Sequence, residues 1–243
     1  MLAGILAYNA ILLVAGVFVI PWLVWQLLFV RKRRVGLGQR FGASPEFPSP
    51  TVWCHAVSVG EVKAMVPLLT LLEGAESTSG RVILSTVTVT GYGTAVREWG
   101  FPGRLFYFPL DLPFVIGRSL RRASPEIFIT AETEIWPNFF SACFRRNIPV
   151  VIVNGRISDR SYSRYMRFRW FFRPILARVN LFLMQSEEDG RRIRDMGGKP
   201  ETVKVTGNMK YDRGPEPVSL PEGVREWARG GFLLVGGSTH VGE

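Results

Sequence analysis

The feature of this sequence that most constrains its fold is a regular alternation of short apolar runs with helix-length segments. The runs are rich in β-branched and aromatic residues and cover 51–56, 81–86, 104–108, 126–130, 149–154, 180–184 and 203–206. Helical segments are predicted to begin near Gly60, Gly91, Pro113, Glu134, Ser158 and Ser186. Because short strands that alternate with helices form βαβ units, the pattern predicts a mostly parallel, doubly wound α/β sheet of Rossmann-like type.

This predicted architecture also predicts where a functional site lies. In an open parallel sheet, ligands bind at the carboxyl ends of the strands. The loops that directly follow each apolar run are therefore the places to look for chemistry, and the loops after 51–56, 126–130 and 203–206 carry polar and charged residues.

The first thirty residues contain no charged side chain, and Arg31, Lys32, Arg33 and Arg34 follow directly. About 20 apolar helical residues are enough to cross a bilayer. A signal peptide carries its positive charges before a shorter apolar core, whereas here they follow a long one. The order predicts a membrane anchor over 1–30 with the rest of the chain in the cytoplasm. A buried helical hairpin, or an anchor that enters only one leaflet, stays open as an alternative.

The charge balance predicts an anionic partner. Thirty Lys and Arg residues against twenty Asp and Glu residues give a formal net charge of +10. Such a balance attracts nucleic acid, acidic lipid headgroups or a phosphorylated substrate, and charge alone does not separate these partners.

An arginine-rich segment narrows this choice. On a helix, Arg160, Arg164 and Arg167 share one face, while another face carries aromatic and aliphatic residues, namely Phe168, Phe171, Phe172 and Ile175. A cationic amphipathic helix suits an anionic membrane surface. The predicted anchor favours lipid over nucleic acid as the partner, and a solvated basic face remains the simpler alternative.

The sequence gives little support for metal or disulfide chemistry. It has two cysteines, Cys54 and Cys143, and two histidines, His55 and His240, without the spacing of a zinc site. There is no Asp-x-Asp motif and no phosphate-binding loop. No metal and no cofactor is therefore predicted.

The predicted organisation has five parts. Residues 1–30 are the membrane anchor, 31–50 a basic juxtamembrane linker, 51–212 the Rossmann-like domain, 213–230 a connector, and 231–243 the start of a second domain. The loop after residue 236, Ser238-Thr239-His240-Val241-Gly242-Glu243, resembles Val57-Ser58-Val59-Gly60-Glu61 after the first strand. Two similar domains joined by a connector predict a GT-B glycosyltransferase layout in which most of the second domain is missing.

Three carboxylates are candidates for acid–base chemistry. Glu61 lies where the loop after the first strand becomes a helix, so it is either a stabilising first-turn acid or a general base. Glu132 and Glu134 follow the fourth strand, where one can cap the next helix while the other faces the cleft. Like charges near Glu61 predict a raised pKa.

Lys210 is the candidate cation. It lies in Gly207-Asn208-Met209-Lys210 after the last strand of the domain. There it can offset negative charge on a departing phosphate, or it can be a solvated loop lysine without a role.

Several strings, taken together, resemble the 3-deoxy-D-manno-octulosonic acid (Kdo) transferases of lipopolysaccharide synthesis. They run in the family's order along nearly the whole chain. The strings are Gly38-Gln39-Arg40-Phe41-Gly42, His55-Ala56-Val57-Ser58-Val59-Gly60-Glu61, Glu132-Thr133-Glu134-Ile135-Trp136-Pro137-Asn138, Val153-Asn154-Gly155-Arg156-Ile157-Ser158, Gly207-Asn208-Met209-Lys210-Tyr211-Asp212 and Gly237-Ser238-Thr239-His240.

The resemblance implies transfer of Kdo from CMP-Kdo to a lipid A precursor, by an inverting, metal-independent mechanism on the cytoplasmic side of the bacterial inner membrane. It implies Glu61 as the proton acceptor and Glu132 and Lys210 as groups that stabilise the transition state. It further marks a set of substrate-binding residues, namely Ser58, Gly60, Glu134, Asn154, Arg156, Ser238 and His240.

The resemblance also implies that the donor-binding domain is missing, so this chain is expected to be a truncated form that is inactive alone. Two other functions stay open. One is a GT-B transferase that uses another sugar nucleotide, and the other is a non-catalytic, membrane-tethered module that binds anionic lipid.

Overall fold

The computed structural model describes residues 1–29, 34–48 and 50–212. The predicted connector (213–230) and the predicted start of a second domain (231–243) lie outside the described residues. The strands are β1 Thr51–His55, β2 Val82–Thr86, β3 Leu105–Tyr107, β4 Pro125–Ala131, β5 Val150–Gly155, β6 Leu181–Met184 and β7 Val203–Val205. Each of the seven predicted strands is confirmed, with shifts of one or two residues at the ends.

The strands form one sheet in the order β3-β2-β1-β4-β5-β6-β7, and every neighbouring pair is parallel. The chain starts in the middle of the sheet, winds outward through β2 and β3, and then returns to place β4 beside β1. This confirms the predicted doubly wound, Rossmann-like sheet. The reversal of strand order between β1 and β4 creates the switch point at which such folds bind ligands.

Nine helices lie along the described chain. They are α1 Leu2–Phe29, α2 Leu37–Arg40, α3 Val59–Gly74, α4 Val89–Glu98, α5 Pro113–Ala123, α6 Pro137–Arg145, α7 Asp159–Arg167, α8 Arg169–Leu176 and α9 Glu187–Met196. Most begin where the sequence predicts. The arginine-rich segment differs, because the single helix expected there breaks at Phe168. The Phe168 N–H bonds to the carbonyl of Tyr165, which closes a tight turn, and Pro174 leaves the next helix without one backbone donor.

Both faces of the sheet are covered, and the central strand shows this most clearly. All of β1 is buried. Val52 and Cys54 pack on the side of α3 and α4, whereas Trp53 packs on the side of α5, α6 and α8. A strand buried on both faces requires a continuous apolar run rather than an alternating one, which is what residues 51–56 provide.

Residues 34–48, within the predicted 31–50 linker, lie against the β3 end of the sheet. The Gln39 side-chain carbonyl accepts the backbone N–H of Tyr107 at 2.9 Å. The Arg40 guanidinium lies 4.5 Å from the centre of the Tyr107 ring and donates to the carbonyl of Val87. These contacts fix the segment that connects α1 to the domain.

The first turns of α1 contact the domain. Ile5 is buried in the core, and the Tyr8 ring lies 5.9 Å from that of Phe171. Asn9 exchanges hydrogen bonds with Asn138. The described part of the chain holds no helix whose length and apolarity would let it cross a membrane. The structure gives no support for the transmembrane anchor predicted over 1–30, and the first turns of that segment are a docked helix whose residues contact α6 and α8.

Candidate functional site at the carboxyl edge of the sheet

The parallel sheet brings four loops to one edge. Each follows the carboxyl end of a strand: 56–58 after β1, 132–136 after β4, 156–158 after β5 and 206–208 after β7. Four predicted site residues that the structure describes lie outside these loops: Asn154 is near the end of β5, and Gly60, Glu61 and Lys210 lie in the first turn of the element that follows their loop. The loops carry the others, namely Ser58, Glu132, Glu134 and Arg156. The sequence-based expectation that these residues meet at one edge therefore agrees with the topology.

Glu61 lies in the first turn of α3 and is 6% exposed. Its Oε2 accepts the backbone N–H of Val57 at 2.8 Å, and its Oε1 accepts the Ser58 hydroxyl at 2.8 Å. Burial raises the pKa of Glu61; the bonds from Val57 and Ser58 act in the opposite direction, and the charge of Glu132 raises it further. The result is a carboxylate held in one orientation that binds a proton more readily than a solvated glutamate.

Glu132 has a left-handed backbone, with φ 54°, which is uncommon for a residue other than glycine. Its backbone N–H donates to the carbonyl of Val153 at 2.9 Å, so the turn is fixed by β5. This conformation ends β4 abruptly and starts the loop that carries Glu134. Sequence reasoning gave no signal for this backbone strain, because Glu has no preference for the left-handed region.

Glu134 is the most perturbed carboxyl group of the site. Burial, followed by the negative charges of Glu61 and Glu132, raises its pKa to about 7. Glu134 in turn raises the pKa of Tyr165 on α7, although burial is the larger cause there. Glu61, Glu132 and Glu134, called here the carboxylate cluster, are therefore close enough for the charge of Glu132 to raise the pKa of Glu61 and for both charges to raise the pKa of Glu134.

Asn154 connects the end of β5 to the segment that carries Lys210. It is buried, has φ 54°, and its side-chain carbonyl accepts the backbone N–H of Met209 at 3.0 Å. Asparagine tolerates the left-handed region better than most residues, which fits this position. The contact fixes the 3-10 turn Met209–Asp212, and that turn lies beside α3.

Lys210 itself is exposed, and its backbone N–H donates to the Asn208 side chain at 3.0 Å. Its ammonium group forms no ion pair with any residue that the structure describes. The structure therefore places Lys210 on the correct edge with its charge facing solvent, where it is accessible to an anionic ligand.

Arg156 is exposed and lines a cavity of about 410 Å³ beyond β5 and β6. The other lining residues come mainly from the starts of α7 and α9, including Ser158, Ser186 and Arg192. The Thr133 hydroxyl donates to the carbonyl of Arg156, which connects this loop to the carboxylate cluster. The cavity and the cluster are thus adjacent parts of one edge.

Ser58 and Gly60 shape the entrance to Glu61. Ser58 is the N-cap residue of α3, but its hydroxyl binds Glu61 instead of a backbone N–H. A Cβ atom placed on Gly60 would meet no described atom within 4 Å, so space lies open above the helix N-terminus. Ser238 and His240, the remaining predicted binding residues, lie outside the described residues.

His55 is a residue that sequence reasoning left without a role. Its ring is fully buried, 4.0 Å from the centre of the Phe108 ring, and burial lowers its pKa to about 3. Nδ1 lies 2.9 Å from the hydroxyl and 3.1 Å from the carbonyl of Ser85. Nε2 has no partner among the described residues. Its position at the end of β1, inside the string that leads to Glu61, was the available signal.

The fold and the site define a class of protein before any relative is considered: a Rossmann-like domain with a buried acid at its β1–β4 switch point. Among solved structures, that of S. aureus MnaA with UDP is similar, with a TM-score of 0.53 and 14% identity over 73% of this chain and 51% of that one. This similarity concerns the fold alone.

Sequence comparison identifies the family. The profile of the 3-deoxy-D-manno-octulosonic-acid transferase (kdotransferase) family matches residues 34–213, and the chain belongs to this family. The transferase of this name from Haemophilus influenzae is 31% identical over 97% of this chain and 56% of its own length. The one from Bordetella pertussis is 35% identical over 82% of this chain and 48% of its own. The chain spans about half the length of the curated relatives it matches.

Proposed function

We propose that the protein transfers Kdo from CMP-Kdo to a lipid A precursor, and that this chain carries the base for the reaction. The observation that carries the proposal is the environment of Glu61: a buried carboxylate at the switch point, with a raised pKa and a fixed orientation. Family membership supports the donor sugar, and the positively charged chain suits a phosphorylated acceptor.

The hydrogen bonds of Glu61 leave it able to act as a base. The Glu61 carboxylate accepts hydrogen bonds from the backbone N–H groups of Val57 and Ser58 and from the Ser58 hydroxyl, and a carboxylate has about four lone pairs for accepting. At least one lone pair therefore remains for the proton of an acceptor hydroxyl. A pKa raised above that of a solvated glutamate makes the transfer of this proton more favourable.

The proposed step is a single displacement. The acceptor oxygen forms a bond to the anomeric carbon of Kdo while the bond from that carbon to the phosphate of CMP breaks. Glu61 takes the hydroxyl proton, and CMP leaves with the bonding electrons. One displacement inverts the anomeric configuration. Lys210 is proposed to offset the charge on the departing phosphate, so that no metal is needed, and Glu132 to stabilise the transition state.

The acceptor is proposed to arrive with its phosphates near the basic face of α7 and its acyl chains near apolar surface. Arg160, Arg164 and Arg167 are exposed on that helix, and α1 exposes Leu13 and Phe18. Because the acceptor is a lipid, we propose that the protein works at the cytoplasmic face of the bacterial inner membrane. A flotation assay with vesicles tests this: binding should be stronger to anionic than to zwitterionic lipid, and weaker after substitution of the three arginines by glutamine.

The main experiment follows labelled Kdo from CMP-Kdo, generated in situ, to a tetra-acylated lipid A precursor. It compares this chain with a longer version that carries the remaining length of its relatives. Glu61→Gln removes the proposed base, and Glu76→Gln is the matched control, because Glu76 is exposed beyond the far end of the same helix. Transfer by the longer protein, lost in Glu61→Gln and kept in Glu76→Gln, is the expected result.

The other outcomes separate the alternatives. No transfer of Kdo, with transfer of another sugar when other sugar nucleotides are supplied, would support a different GT-B transferase. No transfer of any sugar by a folded, longer protein that still binds anionic vesicles would support the lipid-binding module. Full activity in Glu61→Gln would contradict the catalytic assignment while leaving the family assignment intact.

A further inference from the structure

Helix α6 begins without a cap of its own. Trp136 occupies the N-cap position and makes no side-chain hydrogen bond there, and Pro137 follows it. The first backbone N–H groups of a helix have no partner within the helix and attract negative charge. Asp111, from the loop after β3, supplies that charge: its carboxylate accepts the N–H of Asn138 at 3.1 Å and that of Phe139 at 2.9 Å.

Two residues of α1 complete this arrangement. The Asn9 and Asn138 side-chain amides bind each other reciprocally, at 3.0 Å and 2.7 Å. Asn138 also donates to the backbone carbonyl of Asp111 at 2.7 Å. Tyr8 makes a side-chain hydrogen bond to the Asp111 carboxylate. Tyr8, Asn9, Asp111 and Asn138, called here the α1 network, thus connect three elements that are far apart in sequence.

The network lies at one end of the loop that carries the carboxylate cluster. The loop starts at Glu132, whose N–H is bound by Val153, and ends at Pro137. In its middle, Thr133 is bound to the carbonyl of Arg156. The end of the loop at Pro137 is held by the hydrogen bonds between Asp111 and the first turn of α6. Asn138 of that turn is bound in addition by Asn9 of α1. A shift of the start of α6 would therefore move Glu134.

An asparagine at position 9 destabilises the folded chain unless its side-chain amide forms hydrogen bonds. It lies in a helix that is otherwise almost wholly apolar. Asn9 is partly buried, and a polar amide that is partly removed from water costs free energy when it makes no hydrogen bond; Asn138 supplies both bonds given for the amide. A leucine would provide more apolar contact at the same position, so contact area alone does not account for an amide.

We propose that the first turns of α1 position the Glu132–Glu134 loop, with Tyr8 and Asn9 acting as positioning residues through Asp111 and Asn138. The inference rests on the proposed function where it concerns catalysis, but the contact itself is testable without activity. Small displacements of a reacting group lower the rate of a chemical step far more than they lower ground-state binding.

The test uses Asn9→Leu and the milder Tyr8→Phe, which removes a single hydroxyl, in the chain and in the longer protein. Leu6→Ala is the matched control, because Leu6 is 61% exposed on the same turns of α1. Hydrogen exchange of the Asn138 and Phe139 amides should become faster in both variants and stay unchanged in the control. Unchanged exchange in Asn9→Leu and Tyr8→Phe would overturn the proposal at its first step.

The second readout is catalytic. In the longer protein, Asn9→Leu should lower kcat by roughly tenfold with little change in KM for CMP-Kdo. It should also shift the pH profile, because the groups that face Glu134 (Glu61, Glu132 and Tyr165) would be at altered distances. Asn9→Gln, which retains the amide, should restore part of kcat. Lower thermal stability with an unchanged kcat and pH profile would show a merely structural role and overturn the inference.

The two proposals fail in different ways. If the unsubstituted longer protein transfers no Kdo, the proposed function fails, and the exchange experiment still decides whether α1 holds the start of α6. If the unsubstituted protein is active and Asn9→Leu is equally active, the proposed function stands and the positioning role fails.

Discussion

Two groups of carboxylates in this domain have opposite electrostatic properties. In the carboxylate cluster, one buried and two partly buried acids lie close together, and burial and the charges of Glu61 and Glu132 raise the pKa of Glu134 to about 7. In a second group, called here the ion-pair cluster, Glu188, Asp159 and Asp195 are paired with Arg191 and Arg192. There the hydrogen bonds from Arg191 and Arg192 lower the pKa of Glu188 to about 2.

The difference lies in what surrounds each carboxylate. Glu188 is half exposed, with its negative charge balanced by two guanidinium groups at 2.7 Å and 2.9 Å. Glu61 is buried and its partners are a hydroxyl and backbone N–H groups, none of which carries a formal charge. An arrangement that places like charges together costs stability, so it indicates a use other than folding. The ion-pair cluster requires no functional explanation, since ion pairs of this kind are common on helix surfaces.

The largest expected difference between the two clusters is the loss of catalytic activity on substitution of a glutamate. Glu61→Gln should lower kcat in the longer protein by about a hundredfold or more, because a positioned general base contributes on that order. Glu188→Gln, measured in the same Kdo-transfer assay, should keep kcat within a factor of about two, as expected for a residue outside the chemical step. Comparable losses in both variants would break the distinction between the clusters.

The second effect concerns stability and pH. The pKa of Glu134 is raised from 4.5 to about 7 in the folded chain, so the folded state binds more protons than the unfolded state between these values. Stability should therefore fall as pH rises from about 4.5 to 7. Glu134→Gln should remove this dependence and raise the free energy of unfolding by ~2 kcal/mol at pH 8, with little change at pH 4.

Urea unfolding of the chain at both pH values measures this effect. Glu76→Gln is a suitable control, because Glu76 is exposed and forms no ion pair with any residue that the structure describes. A variant that is less stable than the parent at pH 8 would contradict the assignment of Glu134 as a destabilised acid.

A third, smaller effect tests whether the cluster acts as a unit. The charge of Glu61 is the second cause, after burial, of the raised pKa of Glu134. Glu61→Gln removes that charge and should lower the pKa of Glu134 below about 7, as measured by carboxyl-carbon NMR titration. Glu76→Gln should leave it unchanged. An unaltered titration of Glu134 in Glu61→Gln would show that the charge of Glu61 does not contribute to its raised pKa.

The sequence predicts the strands and most helices of this molecule better than the breaks between helices and the long-range contacts. Most strands were recognisable because a strand covered on both faces must be a continuous apolar run, and residues 150–153 and 181–184 have this form. The break between α7 and α8 was missed, because a periodic pattern with arginine and aromatic faces continues across Phe168. The structure does not support the transmembrane interpretation of 1–30, and hydropathy gives no sign that Ile5 and Asn9 contact the domain.

For the candidate site, the convergence of Glu61, Glu132 and Glu134 followed from parallel topology, and their chemical roles remain predictions. The hydrogen bonds that hold the start of α6 beside that site could not be predicted from local sequence patterns. Asn9 and Asn138 are 129 positions apart, and Asp111 caps a helix that begins 26 positions later at Pro137. No local sequence pattern around Asn9, Asp111 or Asn138 indicates these contacts.

The smallest expected effect belongs to the ion-pair cluster. The pKa of Glu188 is lowered from 4.5 to about 2, so the ion pairs contribute stability above about pH 4.5, and that contribution is lost as pH falls toward 2. Glu188→Gln should therefore cause only a slight loss of stability at pH 7, because exposed ion pairs contribute little and are screened by salt. Thermal unfolding at low and high salt measures it, and the difference between parent and variant should shrink as salt is added. A large, salt-independent loss would show that Glu188 has a structural role beyond pairing, and that the two groups of carboxylates differ less than their surroundings suggest.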